Sequence, residues 1–566
     1  MCKDIETLRV MFWRKGGRQE TEKLRLPVKG SLGVFKDLQS QWKNRLEEWQ
    51  KECVQLRTIS PILNYFTFNE VRCLSKKLND IVNCRQEHRA ILCSRFILPF
   101  LQRIDPNLSD ALPFVEKWKF EAAEGDKALT QFGTVFSDIW TNLKQSGSIY
   151  RNVSSCGLEY GKPNLIIQNT NQMLNVLELF KSVGVIPCSE HILICKENTT
   201  EEEIECLLFR AISAKVYEED EQEQKLAATP PPIPSKQIAL QPPLYCLMWP
   251  EVLPLETLER VTKLFHTLLL SENALNELKK TPYLLVVISN SPNNMLSQKL
   301  NPFSLSQRIV LNDQTPNHLM QQSYCNDLET FASQNPSVNR NSNKSFVQLY
   351  ISDQIGMGKS FKIEQDIASI RKINPKTQVV RVAFNSSTMD WKSIMEGFWR
   401  YHPCTNEEQV QENLIGIESK CSQLNYHADN LVVYHLDISS CVSASMNTFL
   451  FELLFLQHIN TTLNVPASQC FHVNTNMAFL IEMPFKLNGS NNDYKKVLYT
   501  IFSLSKLPIV KVSKDTNPYV FGPEAQFAIK WMKEFFAENL KLQKKKNIFF
   551  LYCYLFSPIK KKIKNK

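Results

Sequence analysis

A chain of 566 residues has room for roughly three to four domains of about 150 residues. Its 43% hydrophobic and 22% charged residues exclude global disorder. The net charge of +9 sits at one end: residues 541–566 hold nine Lys and no acid, leaving 57 basic and 57 acidic side chains in residues 1–540, so no distributed basic surface argues for nucleic acid.

In chain order, the first thirty residues lack the apolar core of a signal peptide, and no stretch has the about 20 apolar residues of a spanning helix. Residues 1–150 read as helical. Phe35, Leu38, Trp42, Leu46, Trp49, Cys53 and Leu56 fall three and four apart on one stripe, leaving Lys43, Arg45, Glu47, Glu48 and Lys51 to water. This helix is expected to stop before Pro61 and to use its stripe for core packing.

From residue 151 to about 335 short β-rich runs alternate with helical ones. The predicted strands are 164–167, 191–195, 244–249 and 283–288, with helices at 173–183, 204–211 and 255–270. Thr200 and Glu203 form a capping box before the second helix. Such repetition predicts a parallel sheet flanked by helices. No glycine-rich turn follows these strands, so a nucleotide-binding shape here would lack its phosphate cradle. Residues 218–243, acidic and then proline-rich, predict an extended insert. Residues 290–345, rich in Asn, Gln and Ser, are expected to link this unit to the next.

Residues 336–540 carry the one motif with defined chemistry. A predicted strand, 346–351, runs into Ser352-Asp353-Gln354-Ile355-Gly356-Met357-Gly358-Lys359-Ser360, and a helix with Phe361, Ile363, Ile367 and Ile370 follows. Strand, glycine turn, Lys-Ser and helix is the setting of a phosphate-binding loop. Backbone amides of Gly356, Met357 and Gly358 would face the phosphates of ATP, Lys359 would neutralise charge, and Ser360 would ligate Mg²⁺. Asp353 stands where the usual pattern has glycine, which favours binding over turnover. Leu431–Asp437 supplies a second strand whose terminal Asp437 would hold Mg²⁺ through water. Ile438 follows, so the usual hydrolytic glutamate is missing. Further strands are expected at 377–384 and 478–483, with Asn385 and Glu482 at strand ends as polar-sensor candidates. His435 reads as a packed or capped histidine.

Other chemistry finds less support. There is no G-x-S-x-G, no H-E-x-x-H and no C-x-x-C among sixteen Cys, with Cys84 and His88 the nearest approach to a ligand pair. The cysteines are read as reduced thiols and the compartment as cytoplasmic. Residues 548–556 are apolar but too short to span a membrane. The tail, 541–566, is expected to lie outside any folded domain, a surface anchor being the alternative.

Taken together, Leu63-Asn64-Tyr65-Phe66-Thr67, Leu193-Ile194-Cys195 with Thr199-Thr200-Glu201-Glu202, Gly356-Met357-Gly358-Lys359-Ser360, and His435-Leu436-Asp437-Ile438-Ser439 with Leu450-Phe451-Glu452-Leu453-Leu454 resemble the mysterin family in their order. That family comprises giant RING-finger E3 ubiquitin ligases built on a dynein-like row of AAA+ units. The resemblance, over roughly residues 30–500, implies a degenerate AAA unit followed by one that retains a P-loop and holds ATP as a structural or regulatory ligand. It also implies neighbouring AAA+ units and ubiquitin machinery as partners. No RING cysteine pattern occurs here, so the chain is expected to be a fragment or truncated relative, with ubiquitin transfer elsewhere. The catalytic residues stay unassigned. Two alternatives stay open: a non-enzymatic α/β scaffold, and a self-contained AAA+ ATPase.

Overall fold

In the computed structural model, residues 32–145, 157–213, 243–305, 314–334, 344–399, 431–484 and 507–512 are described apart from short stretches within them, together with a few isolated positions. The insert as far as residue 242 and the tail at 541–566 lie outside the described residues, as do Asp353, Gly356 and Asn385. The chain divides into two compact units, Met1–Lys511 and Val512–Lys566. In the second, Val512, Trp531 and Glu534 are described, and Trp531 is 45% exposed.

The first unit opens with helices. α1 (Leu32–Ile59) ends two residues before Pro61, and a 3-10 turn, Pro61–Tyr65, follows. Trp42, Leu46 and Trp49 of its stripe are buried while Lys43, Glu47, Glu48 and Lys51 are exposed. Arg45 lies over the Phe12 and Trp42 rings instead of standing free in water, the guanidinium adding to the packing of its aromatic neighbours. α2 (Phe68–Asn83) starts at a capping box between Thr67 and Glu70. α3 (Gln86–Phe96) and α4 (Asp126–Gln145) complete a helical layer around Phe66, Phe132 and Phe136.

Two parallel sheets follow. The first contains β1 (Pro163–Ile167), β2 (Ile192–Ile194), β3 (Leu244–Met248) and β4 (Leu284–Ser289) in the order β1-β4-β3-β2. α5 (Asn175–Val183) connects β1 to β2 along the chain, α6 (Glu201–Ser213) follows β2, and α7 (Leu255–Phe265) follows β3. The second sheet contains β5 (Phe346–Ser352), β6 (Gln378–Ala383), β7 (Val432–Asp437), β10 (Met477–Glu482) and β11 (Ile509–Val512) in the order β11-β5-β10-β7-β6. Numbered from its own first strand, it reads 5-1-4-3-2. The first sheet reads 1-4-3-2, the same order without a fifth strand among the described residues. β3, β4 and β10 are buried along their whole length, as expected for parallel strands with both faces covered. α8 (Lys359–Ile373), α9 (Trp391–Trp399) and α10 (Ala444–Leu454) belong to the second sheet. A short antiparallel pair, β8 (His458–Thr461) and β9 (Gln469–His472), is appended to it.

The fold is therefore α/β with parallel sheets flanked by helices and a helical N-terminal region. One difference concerns residues 290–345. Met295–Leu300, Gln314–Ser323 and Leu328–Ala332 are helical. Asn294 and Asp327 cap two of these helices, and buried Leu296, Met320, Tyr324 and Phe331 anchor the segment. These four buried side chains, with the two caps, hold a segment that is otherwise polar. No described helix is long and apolar enough to cross a membrane.

Candidate functional site at the carboxyl edge of the second sheet

β5 lies between β10 and β11, and the chain runs from its end through the glycine turn into α8. Gly358 caps that helix at φ 82°, ψ 30°, a left-handed conformation that glycine takes without a Cβ penalty. The first turn of α8 contains no acidic residue, so the positive end of its dipole is not neutralised from within. Met357 is half-buried beside the turn, and Lys359 and Ser360 open the helix.

Strand register brings the partners to the same level. Glu482 of β10 pairs with Asp437 of β7 and with Tyr350 of β5, and Asp437 pairs with Ala383 of β6. Paired residues of parallel strands share a face, here the face covered by Ile363, Ile367 and Ile370 of α8. Two carboxylates thus stand at adjacent strand ends beneath the start of one helix.

Their contacts differ. Asp437 accepts from Arg381 Nη2 at 2.6 Å, from Ser439 Oγ at 2.5 Å and from the Ser439 amide at 3.3 Å. Burial opposes ionisation of Asp437, but the bonds from Ser439 and Arg381 outweigh it and hold the carboxyl below its usual range. Glu482 Oε2 accepts from Ser360 Oγ at 2.8 Å and from His435 Nε2 at 3.1 Å. Lys359 is 8% exposed. Burial lowers its pKa, while Glu482 and Asp437 oppose the shift. The lysine is a desolvated cation within electrostatic reach of two anions.

Of the residues picked out in the sequence, Gly358, Lys359, Ser360, Asp437 and Glu482 come together, and Met357 adjoins them. His435 is buried but also bonded to Glu482. Ile438, next to Asp437, is fully buried, so an apolar side chain occupies the position after the strand-end aspartate. Arg381 and Ser439 were not singled out by sequence. Ser439 follows Asp437 closely enough for an Asx-type local bond to be foreseeable, whereas Arg381 reaches it only through strand pairing.

The first sheet treats the equivalent edge differently. Glu251, just beyond β3, accepts from Ser289 Oγ at 2.8 Å and from the Asn290 amide at 2.9 Å. Its carboxylate ties β3 to the end of β4, and no Lys-Ser pair begins α5.

A family model described as the RNF213 AAA domain matches residues 163–223. The match begins at β1 and passes through α6, within the first sheet's half of the chain. It supports an RNF213- or mysterin-like AAA+ relationship and fits the α/β architecture. No curated protein matches the chain.

Proposed function

We propose that this chain is an ATP-binding AAA+ segment of a mysterin-like E3 ubiquitin ligase, with the nucleotide serving a structural or regulatory role. The observation that carries the reading is the meeting of Lys359 and Ser360, at the open end of α8, with the strand-end carboxylates Asp437 and Glu482. In an open α/β sheet, ligands bind at the carboxyl ends of the strands.

The donor set suits ATP and Mg²⁺. Amides of residues 356–358 and the helix end would receive phosphate oxygens, Lys359 would offset their charge, and Ser360 would ligate the metal, with Asp437 as the expected support through water. Bound Mg²⁺ would supply charge neutralisation across the phosphates. The residue that follows Asp437 in the strand is the buried Ile438, so the acid usual at that next position is missing. Holding the nucleotide is therefore favoured over turning it over. The neighbouring sheet, whose Glu251 is tied to Ser289 and Asn290, would act as a nucleotide-free partner unit. Ubiquitin transfer would belong to parts of the ligase other than these residues, in the cytoplasm.

The test is nucleotide content after mild purification, measured by mass spectrometry, with phosphate release followed in parallel. Retained ATP without released phosphate is the expected result, and Lys359→Ala should purify without nucleotide. A Lys359→Ala protein with undiminished affinity for an ATP analogue would falsify the assignment. Retained ADP with turnover would favour a self-contained ATPase, and a wild-type chain that binds no nucleotide would favour a scaffold.

A further inference from the structure

A serine hydroxyl that ligates a cation does so with a lone pair, so its proton must be given to an acceptor on the other side. Which residue accepts it decides how the hydroxyl is aimed. In this protein Ser360 Oγ donates to Glu482 Oε2 at 2.8 Å. Asp437 instead has Oδ2 engaged by Arg381 and Oδ1 by Ser439.

The two carboxylates are at the same height, since Glu482 and Asp437 are register partners, so depth in the sheet does not explain the choice. Glu482 is also the more tightly placed. It is 7% exposed, and His435, 5% exposed, donates to the same Oε2. Asp437 is tied to an Arg381 side chain that is 55% exposed, a contact open to solvent on one side.

We propose that Glu482, rather than Asp437, is the carboxylate that orients Ser360 toward a divalent cation, with His435 fixing Glu482 in place. This rests on the nucleotide-binding reading above. Glu482 acts as a positioning residue: it accepts the Ser360 hydrogen bond, leaves the hydroxyl lone pair facing the phosphates, and adds a negative charge beside Lys359 and the metal. His435 does for Glu482 what an outer-shell partner does for a ligand, holding one orientation of the carboxylate. Asp437 keeps Arg381 and Ser439 at the end of β7 and contributes less to the metal.

The experiment titrates Mg²⁺ against the full chain at a fixed concentration of a non-hydrolysable ATP analogue, and repeats analogue binding in chelator. Outer-shell changes at metal sites weaken affinity about 10- to 100-fold, so Glu482→Gln should raise the Mg²⁺ midpoint by about ten-fold or more. Metal-free affinity should barely move, which a merely structural role would not preserve. Glu482→Asp keeps the charge but withdraws the carboxylate by one methylene, and should shift the midpoint with the fold intact. His435→Gln should move it in the same direction by less, and Asp437→Asn by less than Glu482→Gln. An Asp437→Asn shift exceeding that of Glu482→Gln overturns the inference while leaving nucleotide binding standing. Equal losses with and without metal in both Glu482 variants overturn it too. A wild-type chain that binds no analogue under either condition overturns both readings together.

Discussion

Arg103 is 9% exposed and holds two carboxylates, Glu70 at 2.7 Å and Glu190 at 2.9 Å. Deleting it would leave Glu70 buried without its cation and Glu190 with only Arg210 at 3.6 Å, and breaking a buried pair costs about 3–5 kcal/mol. Arg103→Ala should therefore lower the urea midpoint sharply. Lys117→Ala, which removes a pair more than half exposed at both ends, should change stability by less than about 1 kcal/mol. At this scale the legible part of the site was the local part. Lys359 and Ser360 follow a turn motif within a few residues of each other, and Asp437 closes an apolar run. The links between them were not legible. Ser360 meets Glu482 across 122 residues, Arg381 meets Asp437 across 56, and Arg103 meets Glu190 across 87. A single sequence does not carry such pairings, because they are decided by strand order at the site and by the packing of the helical layer on the first sheet at Arg103.

Strands and helices were read more completely, because burial on both faces leaves long apolar runs and helical amphipathicity repeats within a few turns. The runs at 283–288 and 431–437 correspond to β4 and β7 within a residue at their ends. β8, β9 and β11, each four residues long, were missed; β2 is shorter still but sits in the apolar run 191–195, whereas these three include polar residues such as Asn460, Thr461, Gln469 and Lys511. The helices of 290–345 were obscured by polar composition. Gly133 gives the element scale its prediction. It lies inside α4, where alanine would normally favour the helix by about 1 kcal/mol. A Cβ there would meet Ser60 Cβ and Oγ at 2.7 Å, just before the Pro61–Tyr65 turn. The Ser60 Cβ cannot swing away as a flexible chain end would, and overpacking costs about 1–3 kcal/mol. Gly133→Ala should lower thermal stability despite the better propensity, and Ser60→Gly in the same protein should recover it. Recovery failing in the double variant would place the cost elsewhere than in this contact.

Across the first compact unit, the helical layer and both sheets meet along a charged seam. Glu190 joins Arg103 to Arg210, Arg57 pairs with Glu202, and Lys196 reaches Glu452 of α10 at 2.6 Å. A cavity of about 100 Å³ lies in this seam, bordered by Glu70, Arg210, Glu203 and His458 among others. None of this follows from composition, which only shows that the charges balance. The seam and the sheets hold imidazoles in settings that disfavour their charge. Burial, aided by Arg210, lowers the pKa of His191 to about 4, and burial lowers His472 to about 4. His458 is held well below 6.5 by burial, with Arg103, His472 and Lys196 adding to the effect. Glu203 shifts the other way, raised by burial to about 7 against the bonds from Thr200.

The signs then fix the pH dependence. Between pH 6.5 and 4.5 the unfolded chain protonates three histidines that the folded protein keeps neutral, so acid favours unfolding. Glu203 opposes this, because its folded form binds a proton that the unfolded chain has lost, a contribution present below 4.5 and lost as pH rises through 7. Three against one leaves a net uptake of about two protons on unfolding, hence a loss of up to about 3 kcal/mol per pH unit on acidification. The melting temperature should fall steadily over that window. His472→Asn and His191→Asn should each flatten the slope by up to about 1.4 kcal/mol per pH unit, and their effects should add, since one ring lies in β9 and the other packs beside Phe180 and Tyr245 at the first sheet. A slope unchanged by both substitutions would mean that these imidazoles already protonate in the folded protein, and the acid lability would then have to come from the carboxylates of the seam.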